Sequence, residues 1–316
     1  MRSAVLHDSE FIMEERPDPT PGHGDVLVHV VAAGINAADL LQRRGIYPAP
    51  PGWPSDVPGL EFAGRVVALG DGVSAEWMGQ RVCGIVGGGA HASHLVVPAE
   101  HLIPVPPSAT WDEAAGFAEA ALTAFDALIR QADLTEDERV IVSGATGGVG
   151  NMAIQIARLF RADVTALVRN LDHAKQLRRL GARSVITVEE VADLTPVDVI
   201  LELVGRAHFE HLQHRLANFA RVVIIGVGSG AQIQFDLRTL MATRSSIMGS
   251  TLRGRSRDEK ALLTQDVIAT LGGPWSNGDL TVPIHRTFDF GDIAAAYDYF
   301  AQPGKFGKII LRMSER

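Results

Sequence analysis

Apolar and polar positions follow one pattern up to about residue 105 and another beyond it. The first part has short strand-like runs at residues 26–31 and 64–69, with Gly, Pro and Asp between them. The proline-rich stretch 47–58 predicts a loop, because proline cannot donate to a strand ladder. Residues 87–89, three consecutive glycines, predict another loop or a tight turn. The N-terminal part is therefore predicted to be β-rich.

Strands and helices are predicted to alternate in the second part. Thr110 and Glu113 have the spacing of a capping box, and a long alanine-rich helical stretch follows them. Strands are then predicted over 139–142, 164–168, 197–201 and 221–225, and helices over 151–160 and 172–180. This order predicts a doubly wound parallel sheet with helices on both faces.

The last part of the chain is harder to place by periodicity. A helix is predicted over 256–271, ended by Gly272, Gly273 and Pro274, and residues 288–310 predict a turn, a helix and a final strand.

Length, charge and cysteine content restrict the possible functions. A chain of 316 residues indicates two domains. Its formal net charge of −8, without a basic tract, argues against nucleic acid and anionic membranes as partners. Cys83 is the single cysteine, which excludes an internal disulfide and any zinc site needing two thiolates. No apolar run suits a signal peptide or a membrane span, so we expect a cytoplasmic protein.

The most informative stretch is a glycine-rich loop over residues 140–150. An apolar strand leads into a glycine-rich turn and a helix leaves it, the context required for binding a dinucleotide. Against the pattern G-x-G-x-x-G the first position is Ala145, while the other two are glycines. We expect the following residues to bind the cofactor: Thr146, Gly147, Gly148, Val149 and Gly150. The alternative is a tight strand-to-helix turn without a ligand.

The residue that follows the predicted strand 164–168 indicates which cofactor is bound. NAD enzymes place an acid there, but Arg169 stands at this position, 24 residues after Ala145. A guanidinium binds a 2′-phosphate that a carboxylate would repel, so the cofactor is predicted to be NADPH. His173 could add a hydrogen-bond donor to the phosphate or could be a surface histidine. The alternative is that Asp172 serves as the acid of an NAD enzyme, displaced from its usual position.

Several short motifs together resemble the medium-chain dehydrogenase/reductase superfamily, in its zinc-independent quinone oxidoreductase (zeta-crystallin-like) branch. Besides the glycine loop they are AGINAADL (33–40), PGLEFAG (58–64), GGGAHA (87–92), AALTAF (120–125), LGA (180–182), GSTLR (249–253) and GKIIL (307–311). The resemblance implies an α/β fold. A GroES-like β-barrel domain of residues 1–115 and 256–316 would have a Rossmann domain of residues 116–255 inserted in it.

The resemblance also bears on zinc and catalysis. Zinc-dependent relatives have metal ligands where this chain has Asn36, Leu60 and, at about the third position, Glu119, a set that cannot form a normal tetrahedral zinc site. Asn36 and Tyr47 are the implied catalytic residues, as hydrogen-bond donors to the substrate oxygen. The alternatives to a catalytic role are that Asn36 caps a turn and that Tyr47 anchors the proline-rich loop. Arg253 and Glu119 are weaker candidates, for orienting substrate.

Further cofactor contacts are implied by the same motifs. They are Thr123, Ile225, Gly226, Val227, Ser250, Thr251, Leu252, Phe306 and Lys308. Gly226 could equally be a strand-end turn. The apolar strand 246–250 would lie at a sheet edge and form a homodimer. His208, His211 and His214, at helical spacing, are interpreted as a solvated helix face.

The implied activity is NADPH-dependent, zinc-independent reduction of a quinone or a related conjugated carbonyl. An enoyl reductase acting on an α,β-unsaturated ketone or thioester is the alternative, and an NADPH-binding protein with little turnover is a third. The physiological acceptor, and the choice between hydride and single-electron transfer, are left open by the sequence.

Overall fold

A computed structural model describes residues 1–313. The chain divides into two compact units. Unit 1 comprises residues 1–122 and 252–316, and unit 2 comprises residues 123–251. These divisions lie a few residues from the junctions expected after residues 115 and 255.

The secondary structure elements are numbered in chain order. The strands are β1 (Arg2–His7), β2 (Glu10–Glu15), β3 (Asp25–Ile35), β4 (Glu61–Leu69), β5 (Arg81–Ile85), β6 (His94–Pro98), β7 (Leu102–Pro104), β8 (Arg139–Ser143), β9 (Asp163–Leu167), β10 (Ser184–Ile186), β11 (Val197–Glu202), β12 (Leu216–Ile224), β13 (Ser246–Gly249), β14 (Ile284–Asp289) and β15 (Lys308–Arg312). The α-helices are α1 (Ala37–Arg43), α2 (Trp111–Ala115), α3 (Ala118–Phe125), α4 (Gly148–Leu159), α5 (Ala174–Leu180), α6 (Arg206–Leu212), α7 (Leu237–Thr243), α8 (Arg257–Ser276) and α9 (Ile293–Ala301).

Unit 1 is built on a mostly antiparallel sheet in the order β14-β15-β3-β4-β5-β7, with β6 also paired to β3. Strand β3 is at its centre. Val26, Val28 and Val30 are fully buried and alternate with less buried residues, as expected of a strand with one face on the core. Strand β15 pairs antiparallel with β3, so the C-terminal part of the chain completes the sheet begun by the N-terminal part.

The expected long helix after Thr110 is broken into two. Thr110 caps α2 as predicted, since its Oγ1 accepts the Glu113 N–H at 3.2 Å and the Glu113 carboxylate accepts the Thr110 N–H at 2.8 Å. The helix ends at Gly116, a poor helix former. Phe117 then enters the core, where its ring stacks on Trp275 with centroids 3.8 Å apart.

The predicted helix end at residues 272–274 is wrong. Helix α8 continues through Pro274 to Ser276, although proline lacks the N–H of a helical hydrogen bond. Leu271 and Trp275 lie on either side of this proline and are both buried, so packing compensates for the lost bond. Strand β14 was also not predicted.

Unit 2 contains a six-stranded parallel sheet in the order β10-β9-β8-β11-β12-β13. The strand order runs outward in both directions from β8, and right-handed crossovers then place helices on both faces. This confirms the predicted α/β class with a Rossmann-type sheet. Strand β13 lies at one edge of the sheet.

None of the helices within residues 1–313 combines the length and the apolar character needed to cross a bilayer.

The stacked pair of Phe117 and Trp275 gives a stability prediction. Trp275→Ala should lower the free energy of unfolding by about 3–5 kcal/mol, because it leaves a cavity beside Phe117. Leu262→Ala is the control, since Leu262 lies on the same helix and is 55% exposed. Urea unfolding followed by circular dichroism measures both. Equal losses in the two variants would show that the stacking contributes nothing.

Candidate functional site

The glycine loop between β8 and α4 forms a tight turn that only small residues permit. A Cβ on Gly150 would lie 2.6 Å from the carbonyl oxygen of Gly144. Gly147 caps α4 and is exposed, and the first amides of α4 have no acceptor within the helix. The loop therefore offers N–H groups and the positive end of a helix dipole to solvent, which suits the pyrophosphate of a dinucleotide.

The carboxyl ends of neighbouring strands in unit 2 lie side by side. The register pairs Leu167 with Ser143, Ile224 with Glu202, and Gly249 with Ile224. The strand-end loops that follow are thus brought to one edge of the parallel sheet. The sequence-predicted residues along this edge are Thr146, Gly147, Gly148, Val149, Gly150, Arg169, Ile225, Gly226, Val227, Ser250 and Thr251.

Two side chains on this unit fit a nucleotide in particular. Within residues 1–313 the exposed guanidinium of Arg169 makes neither a hydrogen bond nor an ion pair, so its N–H groups can bind a phosphate. The Thr123 hydroxyl in α3 is buried and has no hydrogen-bond partner among the same residues. Buried hydroxyl groups are normally paired, so this group fits a donor to a bound molecule.

Two other predicted contacts in unit 2, Ser250 and His173, already bind or contact protein groups. The Ser250 Oγ accepts from Gln131 Nε2 at 2.7 Å and donates to Asp126 Oδ2 at 3.3 Å. His173 precedes α5, and its ring nitrogen lies 3.4 Å from Gln176 Nε2.

A buried Ser–Glu–His chain at the same sheet edge was missed by the sequence analysis. The Ser143 hydroxyl donates to Glu202 Oε1 at 2.7 Å and lies 2.9 Å from His208 Nδ1. The solvated helix face proposed for His208 is therefore wrong, because α6 turns this residue inward. Burial raises the pKa of Glu202 and lowers that of His208. Ser143 and Glu202 are the last residues of β8 and β11. Two polar residues at the ends of neighbouring strands were the only sign in the sequence that these side chains meet.

Unit 1 contains a buried ion pair between Glu61 and Lys308. These residues begin β4 and β15, the two strands on either side of β3, and they are 0% and 4% exposed. Gly34 makes room for the pair, since a Cβ there would lie 2.2 Å from Glu61 Oε1. The Lys308 ammonium group, expected to contact the cofactor, is bound by Glu61 and by the Asn36 amide oxygen.

Asn36 connects this pair to α1. Its Nδ2 donates to Glu61 Oε1 at 2.9 Å and its Oδ1 accepts from Lys308 at 2.7 Å. Its backbone N–H donates to Asp39 at 2.7 Å, and Asp39 also accepts from the Gly59 N–H at 3.1 Å. Burial raises the pKa of Asp39 to about 7. The side chain of Asn36 thus does more than cap a turn.

Arg253 fixes the loop that carries Tyr47. Its Nη1 donates to the Tyr47 carbonyl oxygen at 2.8 Å, its Nε to Gly87 at 2.8 Å, and its Nη2 to Gln42 at 2.5 Å. The guanidinium carbon lies 5.1 Å from the centre of the Tyr47 ring. Tyr47 is half-buried, and the structure over residues 1–313 gives its hydroxyl no partner. The ring is held in place while the hydroxyl can donate to a substrate.

Leu252 and Phe306 complete the predicted set. Leu252 is buried, and Phe306 is half-buried with its backbone N–H donating to His285 Nδ1 at 3.4 Å.

Comparison with known proteins places this chain among dehydrogenases. Residues 22–107 match the family model described as an alcohol dehydrogenase GroES-like domain, and residues 148–266 match a zinc-binding dehydrogenase model. The quinone oxidoreductase of Lama guanicoe is 30% identical over 93% of this chain and 90% of its own length. Prostaglandin reductase-3 of Mus musculus is 28% identical over 98% and 87% of the two chains. An alcohol dehydrogenase superfamily structure from Novosphingobium aromaticivorans covers 99% of this chain and 100% of its own, with a TM-score of 0.89 and 26% identity.

The residues present do not fit the zinc ion named by one of these models. Leu60 is apolar and buried, and Asn36 already binds Lys308, which puts a fixed cation where a metal would need its ligands. Across residues 1–313 no three His, Cys, Asp or Glu side chains are grouped so that they could hold a metal.

Removing one charge of the Glu61–Lys308 ion pair should change the free energy of unfolding. Lys308→Met should lower the free energy of unfolding by about 3–5 kcal/mol, because it leaves the Glu61 carboxylate buried without its counter-charge. Adding Glu61→Gln to this variant should recover part of the loss. Lys175→Met, at an exposed lysine, is the control. A double variant less stable than Lys308→Met alone would contradict the pairing.

Proposed function

Because this chain belongs to the medium-chain dehydrogenase/reductase superfamily, we propose that it is an NADPH-dependent, zinc-independent reductase of quinones or related conjugated carbonyls. The observation that carries the proposal is the carboxyl edge of the parallel sheet in unit 2. It combines a glycine loop suited to a pyrophosphate with a guanidinium, after the second strand, that has no partner among residues 1–313.

Arg169 supports NADPH over NADH. A 2′-phosphate carries up to two negative charges and accepts paired N–H donors, which a guanidinium supplies. Asp172, the candidate for an NAD-type acid, is exposed, and its backbone N–H faces the Asn170 side chain at 3.3 Å. The nicotinamide of this cofactor would supply the hydride.

Polar side chains of unit 1 would take the place of a metal. The Asn36 amide has two N–H groups, of which Glu61 accepts one, so the other can donate to a substrate oxygen. The Tyr47 hydroxyl is a second donor. Fixed donors aimed at an oxygen on which negative charge develops lower the barrier to hydride addition.

A conjugated carbonyl other than a quinone is the second candidate substrate. The similarity to prostaglandin reductase-3 extends over nearly the whole chain, and that protein's name indicates an acceptor that is not a quinone. An enone or enoyl thioester would use the same hydride donor and the same oxygen-binding groups. The comparative rates of the two acceptor classes distinguish the candidates.

A homodimer formed through β13 is part of the proposal. This strand is the edge of the sheet in unit 2, and its Ile247 is 37% exposed. An exposed strand edge can pair with the same strand of a second copy.

The proposed activity predicts NADPH oxidation in the presence of a chelator. Addition of 1,4-benzoquinone or 9,10-phenanthrenequinone should cause the nicotinamide absorbance to fall, with EDTA present throughout. An enone and an enoyl thioester are measured in parallel. A protein that binds NADPH but reduces none of these acceptors would contradict the proposal and favour a binding role with little turnover.

The cofactor preference rests on Arg169. Arg169→Glu should weaken NADPH binding about 100-fold and NADH binding about threefold, since only NADPH loses a charge-assisted phosphate contact. Arg179→Glu, the same charge reversal at an exposed residue of α5, should leave both affinities unchanged. Fluorescence titration measures the two dissociation constants. An unchanged ratio in Arg169→Glu would place the phosphate site elsewhere.

A further inference from the structure

Glu119 lies beside the buried ion pair of unit 1 and contacts it through its backbone only. It is in the first turn of α3, and its backbone N–H donates to Glu61 Oε2 at 3.0 Å. Its side chain is half-buried, and over residues 1–313 its carboxyl group makes no hydrogen bond and no ion pair. The structure therefore positions the residue through its backbone and leaves its carboxyl group available.

The surroundings of Glu119 favour the neutral acid. Burial and the Glu61 charge raise its pKa to about 8, against the smaller opposing effect of Lys308. Charged and titratable groups face it from several elements: Glu61 on β4, Lys308 on β15, Asp39 on α1, Lys260 on α8, Arg253 before α8 and Tyr47 in the loop after α1. At neutral pH the group carries a proton and can give it up.

The other acids of this cluster are less suited to donate a proton. Glu61 is bound by Lys308 and Asn36. Asp39 is fully buried, and each of its carboxylate oxygens accepts a backbone N–H. Glu119 differs from both because its carboxyl group is partly accessible and has no partner in the described part of the chain, residues 1–313.

Reduction of a conjugated carbon–carbon double bond requires such a donor. The hydride adds to the β-carbon, and the π electrons move onto the α-carbon and carbonyl oxygen as an enolate. A proton must then form a new C–H bond at the α-carbon. Transfer to carbon is slow from bulk water, so a positioned acid accelerates it. A quinone, by contrast, is protonated on oxygen, where exchange with water is fast.

We propose that Glu119 is the proton donor to the α-carbon of an enone substrate, a role that rests on the proposed reductase function. The Glu119 O–H bond breaks as the α-carbon C–H bond forms, and the resulting carboxylate regains a proton from water. Two electrons and one hydrogen come from the reduced nicotinamide, which is oxidised, while the double bond is reduced. Glu119 thereby distinguishes enones from quinones as acceptors.

Glu119→Gln tests this role directly, because it keeps the shape and removes the acidic proton. Turnover of an enone should fall about 100-fold, the usual contribution of a general acid, while turnover of 9,10-phenanthrenequinone changes less than about threefold. In D₂O the wild type should deuterate one face of the α-carbon, and the variant should deuterate both. Glu119→Asp, which retains an acid, should restore the single-face labelling. Glu10→Gln, an exposed carboxyl in β2, is the matched control.

A measurement without turnover tests the same group. The ¹³C carboxyl resonance of Glu119, assigned by its loss in Glu119→Gln, should titrate with a midpoint near pH 8. A midpoint near 4.5, the ordinary glutamate value, would overturn the proposal. Full enone turnover with single-face deuteration in Glu119→Gln would also overturn it and leave the reductase function intact. A wild type inactive towards every acceptor would overturn both.

Discussion

The Glu61–Lys308 ion pair is the constraint on which the arrangement of unit 1 depends. A buried carboxylate is unfavourable unless a counter-charge and hydrogen bonds compensate for its lost hydration. Here the counter-charge comes from β15, one hydrogen bond from Asn36 at the end of β3, and another from the Glu119 N–H in α3. Each partner occupies a different element, so satisfying one carboxylate fixes the relative positions of three strands' ends and a helix. The residues proposed for catalysis are positioned by this requirement.

Unit 2 meets the same physical problem with different chemistry. Glu202 is also fully buried, but within residues 1–313 no cation lies at hydrogen-bond distance from it. It accepts the Ser143 hydroxyl and the N–H groups of Val204 and Gly205, the latter two at 2.6 and 2.8 Å. Hydrogen bonds alone compensate less than an ion pair, and burial accordingly raises the pKa of this carboxyl. The loop after β11 is shaped by those bonds and borders the glycine loop through the register of the sheet.

Patterns local in sequence predicted much of the fold. The capping box at Thr110, the alternating strands and helices of residues 139–225 and the glycine loop all depend on neighbours a few positions apart. The family resemblance supplied what periodicity could not, namely that the C-terminal segment joins the N-terminal sheet.

The failures arise where distant residues decide the outcome. The helix continues past Pro274 because Trp275 packs on Phe117, more than 150 positions earlier in the chain. His208 is buried because α6 turns it inward, where its Nδ1 lies 2.9 Å from the Ser143 hydroxyl. For the site, the sequence indicated Asn36, Tyr47 and Glu119, but it contained no sign that Lys308 pairs with Glu61. A pairing of that kind depends on strand order, which no local pattern encodes.

The separation of Glu61 and Lys308 by 247 residues has a consequence for how the chain acquires its structure. All of unit 2 lies between these two positions, and its own sheet uses strands from one continuous segment. The ribosome synthesises that whole segment before it synthesises β15. Until then residues 32–35 of β3 lack a neighbour along one edge, and the Glu61 carboxylate lacks its cation. Closing so long a loop carries an entropic cost that grows only slowly with length. The last strand to be synthesised thus neutralises a charge placed near the beginning, and a truncated nascent chain would keep that carboxylate in water.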